Sequence, residues 1–280
     1  MVIATLPRIA AAIFLLVAAA IPALASDRLL NLEGRFVQGG LAFGITEAGA
    51  RVLIDGIAVR VSKGGLFVVG FGRDAPSRVG VRVIYADGHG ASRTLTVAPR
   101  EYPVQRIDGL APRQVTPGPE ALKRIRLESA MITAARTEDT DSPYFASGFM
   151  WPVKGRISGV FGGRRILNGQ PRRPHVGVDI AAPASTPVAA AGDGVVALAH
   201  ENMFFTGKTV VIDHGHGLNS VYAHMSAILV GPGQRVAKGK LLGRVGATGR
   251  ATAPHLHWGV SLFATHLDPA LIAGPLPEGD

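Results

Sequence analysis

The stretch Arg172-Arg173-Pro174-His175-Val176-Gly177-Val178-Asp179-Ile180 sets a His and an Asp four residues apart, with a Gly between them. In a straight strand such Cα atoms lie roughly 13 Å from each other. Two ligands of one metal must bring their donor atoms to about 2 Å from it. The pair can do so only if the backbone bends, and Gly177, which has no Cβ, permits a bend. A helix would also put both residues on one face. Pro174, Gly177 and the Val residues oppose a helix here. The stretch therefore reads as a strand entry in a β-rich unit.

Far downstream, Pro254-His255-Leu256-His257-Trp258 adds two more His. On a strand, i and i+2 point to the same side roughly 7 Å apart, so both imidazoles can face one cavity. Leu256, Trp258 and Val260 then point the other way, into a core. One His of the pair can bind a metal while its neighbour stands over an open coordination position. His224, in Val221-Tyr222-Ala223-His224-Met225, is the other candidate for acid/base work. Three protein ligands plus a water make a catalytic zinc site, whereas four protein ligands close it. Zinc lowers the pKa of its water and polarises a carbonyl, and a free His can take the proton or stabilise the oxyanion. Each short pattern alone is usually structural. Their joint occurrence points to a metallohydrolase.

Composition narrows the alternatives. The chain has 280 residues, no Cys, 36 Gly and 19 Pro. Length allows two modest domains, and the Gly and Pro content favours short strands and turns. Without Cys there are no disulfides, no thiolate zinc site and no lipoprotein anchor, so any metal is held by N and O ligands. The formal net charge of +9 favours polyanions such as an anionic cell-wall polymer. No stacking aromatics or nucleic-acid motif accompany it, so no nucleic-acid partner is expected.

Residues 1–25 read as a signal peptide. Arg8 gives a positive start, Ile9 to Ile21 is an apolar run too short for a membrane span, and Ala23-Leu24-Ala25 fits a cleavage site. This predicts export to the periplasm with no stable membrane span after cleavage. Secretion, or an uncleaved N-terminal anchor, is the alternative.

Residues 26–98 alternate short apolar runs with turn signals such as Asp55-Gly56, Lys63-Gly64-Gly65 and Asp87-Gly88. Val79, Val81, Val83 and Tyr85 show the two-residue period of a strand. About seven strands are expected, in a small immunoglobulin-like β-sandwich. Residues 99–150 read as a proline-rich connector with one helix over 119–136, whose apolar side is Leu122, Ile125, Met131 and Ile132. Residues 151–270 form a second, antiparallel β unit without a helix. Residues 271–280 read as a loose tail. The fold class is mainly β.

In chain order, His175-x-Gly177-x-Asp179, Tyr222-Ala223-His224 and His255-x-His257 resemble the lysostaphin-type zinc endopeptidases. Val160-Phe161-Gly162, Gly192-Asp193-Gly194-Val195-Val196, Ile212-Asp213-His214-Gly215 and Gly246-Ala247-Thr248-Gly249 are similar to that family too. The resemblance covers about 150 to 270. It implies one zinc ion held by His175, Asp179 and His257, with His224 and His255 activating the water and stabilising the tetrahedral intermediate. It also implies an open groove and peptidoglycan as the substrate, cut in its peptide cross-links or stem peptides. His214 and His216 are placed on a loop away from the metal, and His200 and His266 have no partner by motif. The alternative from another class is a catalytically silent wall-binding or hydrolase-activating module on the same fold. All five His and Asp residues are present, which favours the enzyme. The N-terminal domain is expected to engage a regulatory protein partner or the wall, and part of 99–150, including the helix from Pro119, to lie near the groove and control access.

Overall fold

The computed structural model of the protein describes residues 30–276. The expected signal peptide, residues 1–25, lies outside these.

Seven strands come first: β1 (Leu30–Gly34), β2 (Leu41–Thr46), β3 (Arg51–Ile54), β4 (Ile57–Val59), β5 (Leu66–Gly70), β6 (Arg78–Ile84) and β7 (Gly90–Thr96). They form two antiparallel sheets, ordered β1-β2-β5 and β4-β3-β6-β7. The expected alternation is observed, since Val79, Val81, Val83 and Tyr85 are all buried. They meet Ala42, Phe67 and Val69 of the facing sheet in one core. Burying such side chains stabilises by about 1.5–3 kcal/mol each.

Strands β2 and β5 of the first sheet are covered on both faces. Leu41 and Val68, on its outer side, belong to the core of the second unit. Phe43 stacks on Phe145 at 5.9 Å between ring centroids. Arg100 Nη1 reaches the buried Asp268 Oδ2 at 2.8 Å, and the Asp268 amide donates to the Gly39 carbonyl at 2.7 Å. The sandwich is thus fused to the unit that follows.

The stretch 99–150 is more than a connector. It holds β8 (Val104–Ile107), α1 (Pro112–Val115) and α2 (Pro119–Arg136). From Arg156 on come β9 (Arg156–Gly159), β10 (Arg164–Leu167), β11 (Gln170–Arg172), β12 (Val178–Ala181), β13 (Pro187–Ala189), β14 (Gly194–Met203), β15 (Gly207–Asp213), β16 (Leu218–Met225), β17 (Ala227–Ile228), β18 (Arg235–Val236), β19 (Leu241–Arg244), β20 (His255–Leu262), β21 (Thr265–Leu267) and the helix α3 (Pro269–Ala273). Strand β8 pairs in parallel with β10, which pairs with β11. Leu110, Val115 and Leu167 seal this three-stranded patch.

The main sheet runs β18-β14-β15-β16-β20-β12-β9, with β21 against β20. Its inner face carries Ile180, Ile212, Tyr222, Leu256, Trp258 and Val260, all essentially fully buried. The opposite face carries the His cluster.

Two expectations need correction. Helix α2 buries Glu128 and Ala135, with Ile125 and Ile132 half-buried beside them, while Leu122 and Met131 stay exposed. Polar bonds decide this orientation: Glu128 Oε2 accepts from the Phe204 amide at 2.7 Å and Oε1 from Arg124 Nε at 2.6 Å. Ala135 packs on Val211 and Val221, on the His-bearing face of the sheet. The tail is not loose through residue 276. Asp268 caps α3 by accepting from the Ala270 amide, Trp151 Nε1 donates to the Gly274 carbonyl at 3.0 Å, and Ile272, Ala273 and Leu276 pack on the core.

Candidate metal centre

Register brings the separated residues together. Asp179 on β12 pairs with His257 on β20, and Ala181 pairs with His255. His257 in turn pairs with Ala223 on β16. Alternation puts Asp179, His255 and His257 on one face, with Leu256 and Trp258 beneath them. His175 lies in the loop before β12. Its amide donates to the Gly163 carbonyl at 2.9 Å, and its carbonyl accepts from the Gly162 amide at 2.8 Å. These bonds hold the loop over the strand.

Gly177 serves a close approach more than a bend. A Cβ there would stand 2.4 Å from the Trp258 carbonyl oxygen, so only Gly lets the His175 loop press onto β20. Gly159 acts likewise, since a Cβ would stand 2.4 Å from Asp179 Oδ2.

His224 reaches the same face by a different route. Tyr222 faces the core and Ala223 the groove, so strict alternation would turn His224 inward. The pairing of β15 with β16 is irregular here, Lys208 meeting Met225 and Val210 meeting Tyr222. His224 takes φ 63° in the left-handed region, a conformation that costs a non-glycine residue and clusters at functional sites. Its amide donates to the Thr206 carbonyl at 2.8 Å. The bulge re-aims its ring toward His255, 4.7 Å away between centroids.

Three donor atoms converge in a triangle. His175 Nε2 is 3.0 Å from Asp179 Oδ1 and 2.9 Å from His257 Nδ1. His257 Nδ1 is 2.8 Å from Asp179 Oδ1. A tetrahedral ion with bonds of about 2.0–2.1 Å needs donors roughly 3.3 Å apart, so small side-chain shifts admit one. Among the described residues this is the one His/Asp/Glu group close enough to hold a metal ion.

The surroundings orient the donors. His175 Nδ1 donates to the Val160 carbonyl at 3.1 Å, leaving the Nε2 lone pair for the centre. Arg165 Nη2 holds Asp179 Oδ2 at 2.6 Å. Burial opposes ionisation of Asp179, but its close contacts with His175 and His257 outweigh it and hold the carboxyl well below the usual range. Burial pushes His175 down to about 4 despite Asp179, so it stays neutral and able to ligate at neutral pH.

His224 and His255 flank the triangle. His224 Nδ1 donates to the Thr248 carbonyl at 2.8 Å, and His255 Nδ1 to the Ala253 carbonyl at 2.8 Å. Each ring thus keeps an Nε2 lone pair free. Burial, then the neighbouring His255, pushes His224 down to about 3. His255 Nε2 lies 3.9 Å from Asp179 Oδ1. A pocket of about 250 Å³ opens over Asp179, His224 and His255. Gln105, Ile107 and Leu110 form its wall, so the segment before α1 borders the site.

The other His residues stand apart. His214 and His216 lie at the far end of the β15–β16 hairpin. His214 is fully buried, with Nδ1 donating to the Asp193 carbonyl at 2.6 Å and Nε2 2.7 Å from Ser220 Oγ. His216 packs edge-on against Phe145. His200 Nδ1 accepts from the Asn202 amide. His266 is opposite Ser261, and burial, then Arg136, pushes it down to about 4. Sequence reasoning missed Arg165 and the Val160 and Thr248 carbonyls. Gly246-Ala247-Thr248-Gly249 was a visible signal for the last of these; nothing distinguishes Arg165 among so many Arg.

Comparison with known proteins fits this geometry. Residues 173–269 match peptidase family M23. A crystal structure of a protein assigned to peptidase M23 from Pseudomonas aeruginosa is 35% identical, covers 86% of this chain and 96% of its own, and has a TM-score of 0.67. The DD-carboxypeptidase/endopeptidase Mpg of Neisseria meningitidis serogroup B is 40% identical over 123 residues, 44% of this chain and 28% of Mpg. The peptidoglycan DD-endopeptidase ShyA of Vibrio cholerae is 46% identical over 111 residues, 39% of this chain and 26% of ShyA. The match to these two curated relatives thus spans about a quarter of their length.

Proposed function

The chain belongs to peptidase family M23, and on that premise we propose that it is a zinc-dependent endopeptidase that hydrolyses peptide cross-links or stem peptides of bacterial peptidoglycan. One observation carries the reading. Three N and O donors converge at His175, Asp179 and His257, with two further imidazoles, His224 and His255, presenting free nitrogens beside them. The name of the peptidoglycan DD-endopeptidase ShyA supports the substrate class.

His175 Nε2, Asp179 Oδ1 and His257 Nδ1 would hold the zinc. When bound there, zinc supplies Lewis acidity toward a carbonyl oxygen and a lowered pKa of water. Arg165 and the Val160 carbonyl keep the donors aimed. The peptide lies across the His-bearing face. His255 receives the proton of the attacking water, and both imidazoles flank the oxyanion that develops on the scissile carbonyl. Burial, then the neighbouring His255, makes His224 hard to charge. His255 lies in the open pocket, so the proton passes through His255 while His224 hydrogen-bonds and orients.

The same reading extends to the envelope. The signal-like segment 1–25 and the net charge of +9 suit an exported protein acting in the periplasm on an anionic wall. Digestion of purified sacculi, with mass analysis of the released fragments, tests the proposal. Cleaved peptide bonds that disappear with a chelator and return with zinc are expected. Intact sacculi under both conditions would overturn it.

A further inference from the structure

The pocket over the candidate metal centre is strongly basic. Arg156, Arg165 and Arg250 line it, against a single acid, Asp179. Arg165 is engaged by Asp179 at 2.6 Å. Arg250 lies over the Phe205 ring, 4.1 Å from its centroid. Burial, then the charges of Arg165 and Arg172, pushes Arg250 down to about 10.

Arg156 is placed differently. Register sets it level with Ala181, which is level with His255, so the three residues form one row across β9, β12 and β20. The shift between Asp179 and Ile180 skips Ser158 in this pairing and keeps Arg156 on the His-bearing face. Its strand neighbour Ile157 pairs with Ile180 and packs into the core beneath. Neighbouring strands lie about 4.8 Å apart, so the Arg156 Cα stands roughly 10 Å from that of His255. Ala181 between them carries only a methyl, leaving the space above it to an arginine side chain. Arg156 is exposed, and no hydrogen bond or ion pair joins its side chain to another described residue.

A neutral peptide offers such a row only single carbonyl acceptors. A carboxylate matches the guanidinium fork bidentately. We propose that Arg156 binds a free carboxylate of the substrate, within about one residue of the scissile bond, and so makes the enzyme selective for carboxylate-bearing peptides over neutral ones. The inference rests on the peptidase reading and names the substrate feature which that site selects. Arg156 is a specificity residue: it acts on binding, and the chemistry stays with the His cluster.

The test uses the full chain with zinc and two synthetic cross-linked dimers of peptidoglycan stem peptide. One carries free carboxylates beside the cross-link; in the other these are carboxamides. The wild type is expected to cleave the carboxylate dimer with a kcat/KM about tenfold higher, the difference lying in KM. In Arg156→Ala that ratio falls to near one, and Arg156→Lys restores part of it. Equal zinc content and circular dichroism show that the variants are folded. Equal cleavage of both dimers by the wild type, or an unchanged ratio in Arg156→Ala, overturns this inference alone. Cleavage of neither dimer by the wild type overturns the peptidase reading and this inference with it.

Discussion

The two oxygens of Asp179 face different partners: Oδ2 is held by Arg165 Nη2 at 2.6 Å, and Oδ1 lies 2.8 Å from His257 Nδ1. One carboxylate is thereby fixed from behind and left with a single oxygen for the centre. Arg165 is itself half-buried, and desolvation lowers its pKa against the opposing pull of Asp179. The pair is a positioning device whose value is read in metal affinity.

Arg165→Gln is therefore expected to weaken zinc binding by about 10–100-fold with the fold intact. Competition against a chromophoric chelator measures it. Arg165→Lys should recover part of the loss, because a point charge replaces a fork. Unchanged affinity in both variants would show that the ion pair does not orient Asp179.

Gly177→Ala places a Cβ at 2.4 Å from a backbone oxygen that cannot rotate away, the Trp258 carbonyl. The His175 loop must lift from β20. A stability loss of about 2 kcal/mol or more is expected, with weakened zinc binding. Denaturant titration with metal analysis checks both. A variant of wild-type stability would mean that the loop tolerates displacement.

His214 predicts how stability depends on pH. Its ordinary pKa is 6.5, and burial pushes it down to about 4 in the folded chain. The unfolded chain therefore takes up a proton first as pH falls. The contribution is fully present above pH 6.5, is lost progressively from 6.5 to about 4, and is flat below. It amounts to about 3 kcal/mol. His266, also lowered to about 4, adds the same sign. Denaturant midpoints of the metal-free protein should fall across this window, and less steeply in His214→Gln. A midpoint that rises as pH falls would contradict the buried, neutral His214.

Much of this molecule was legible before its structure. Alternation at Val79, Val81 and Val83 exposed the sandwich, because one face of each strand meets a core. The i, i+2 spacing of His255 and His257 gave a shared face directly, and the ordered His and Asp residues do converge. His224 was harder, since the bulge that turns it depends on a register slip between β15 and β16 that no local pattern carries. The Arg165 clamp joins residues whose pairing follows only from packing. Strand β8 was hidden for a similar reason: its parallel pairing with β10 links chain segments some sixty residues apart. On α2, apolar periodicity found Ile125 and Ile132 but misplaced Leu122 and Met131, because polar bonds from Glu128 set the buried face.

The account's central claim divides labour between neighbours, with His257 holding zinc and His255 moving a proton. The most direct measurement is zinc content beside peptidoglycan cleavage for His255→Ala and His257→Ala. The account predicts that His257→Ala loses zinc and activity together, while His255→Ala keeps about one zinc per chain and loses activity by at least about a hundredfold. A zinc-free His255→Ala, or a His257→Ala that still cuts peptidoglycan, would contradict it.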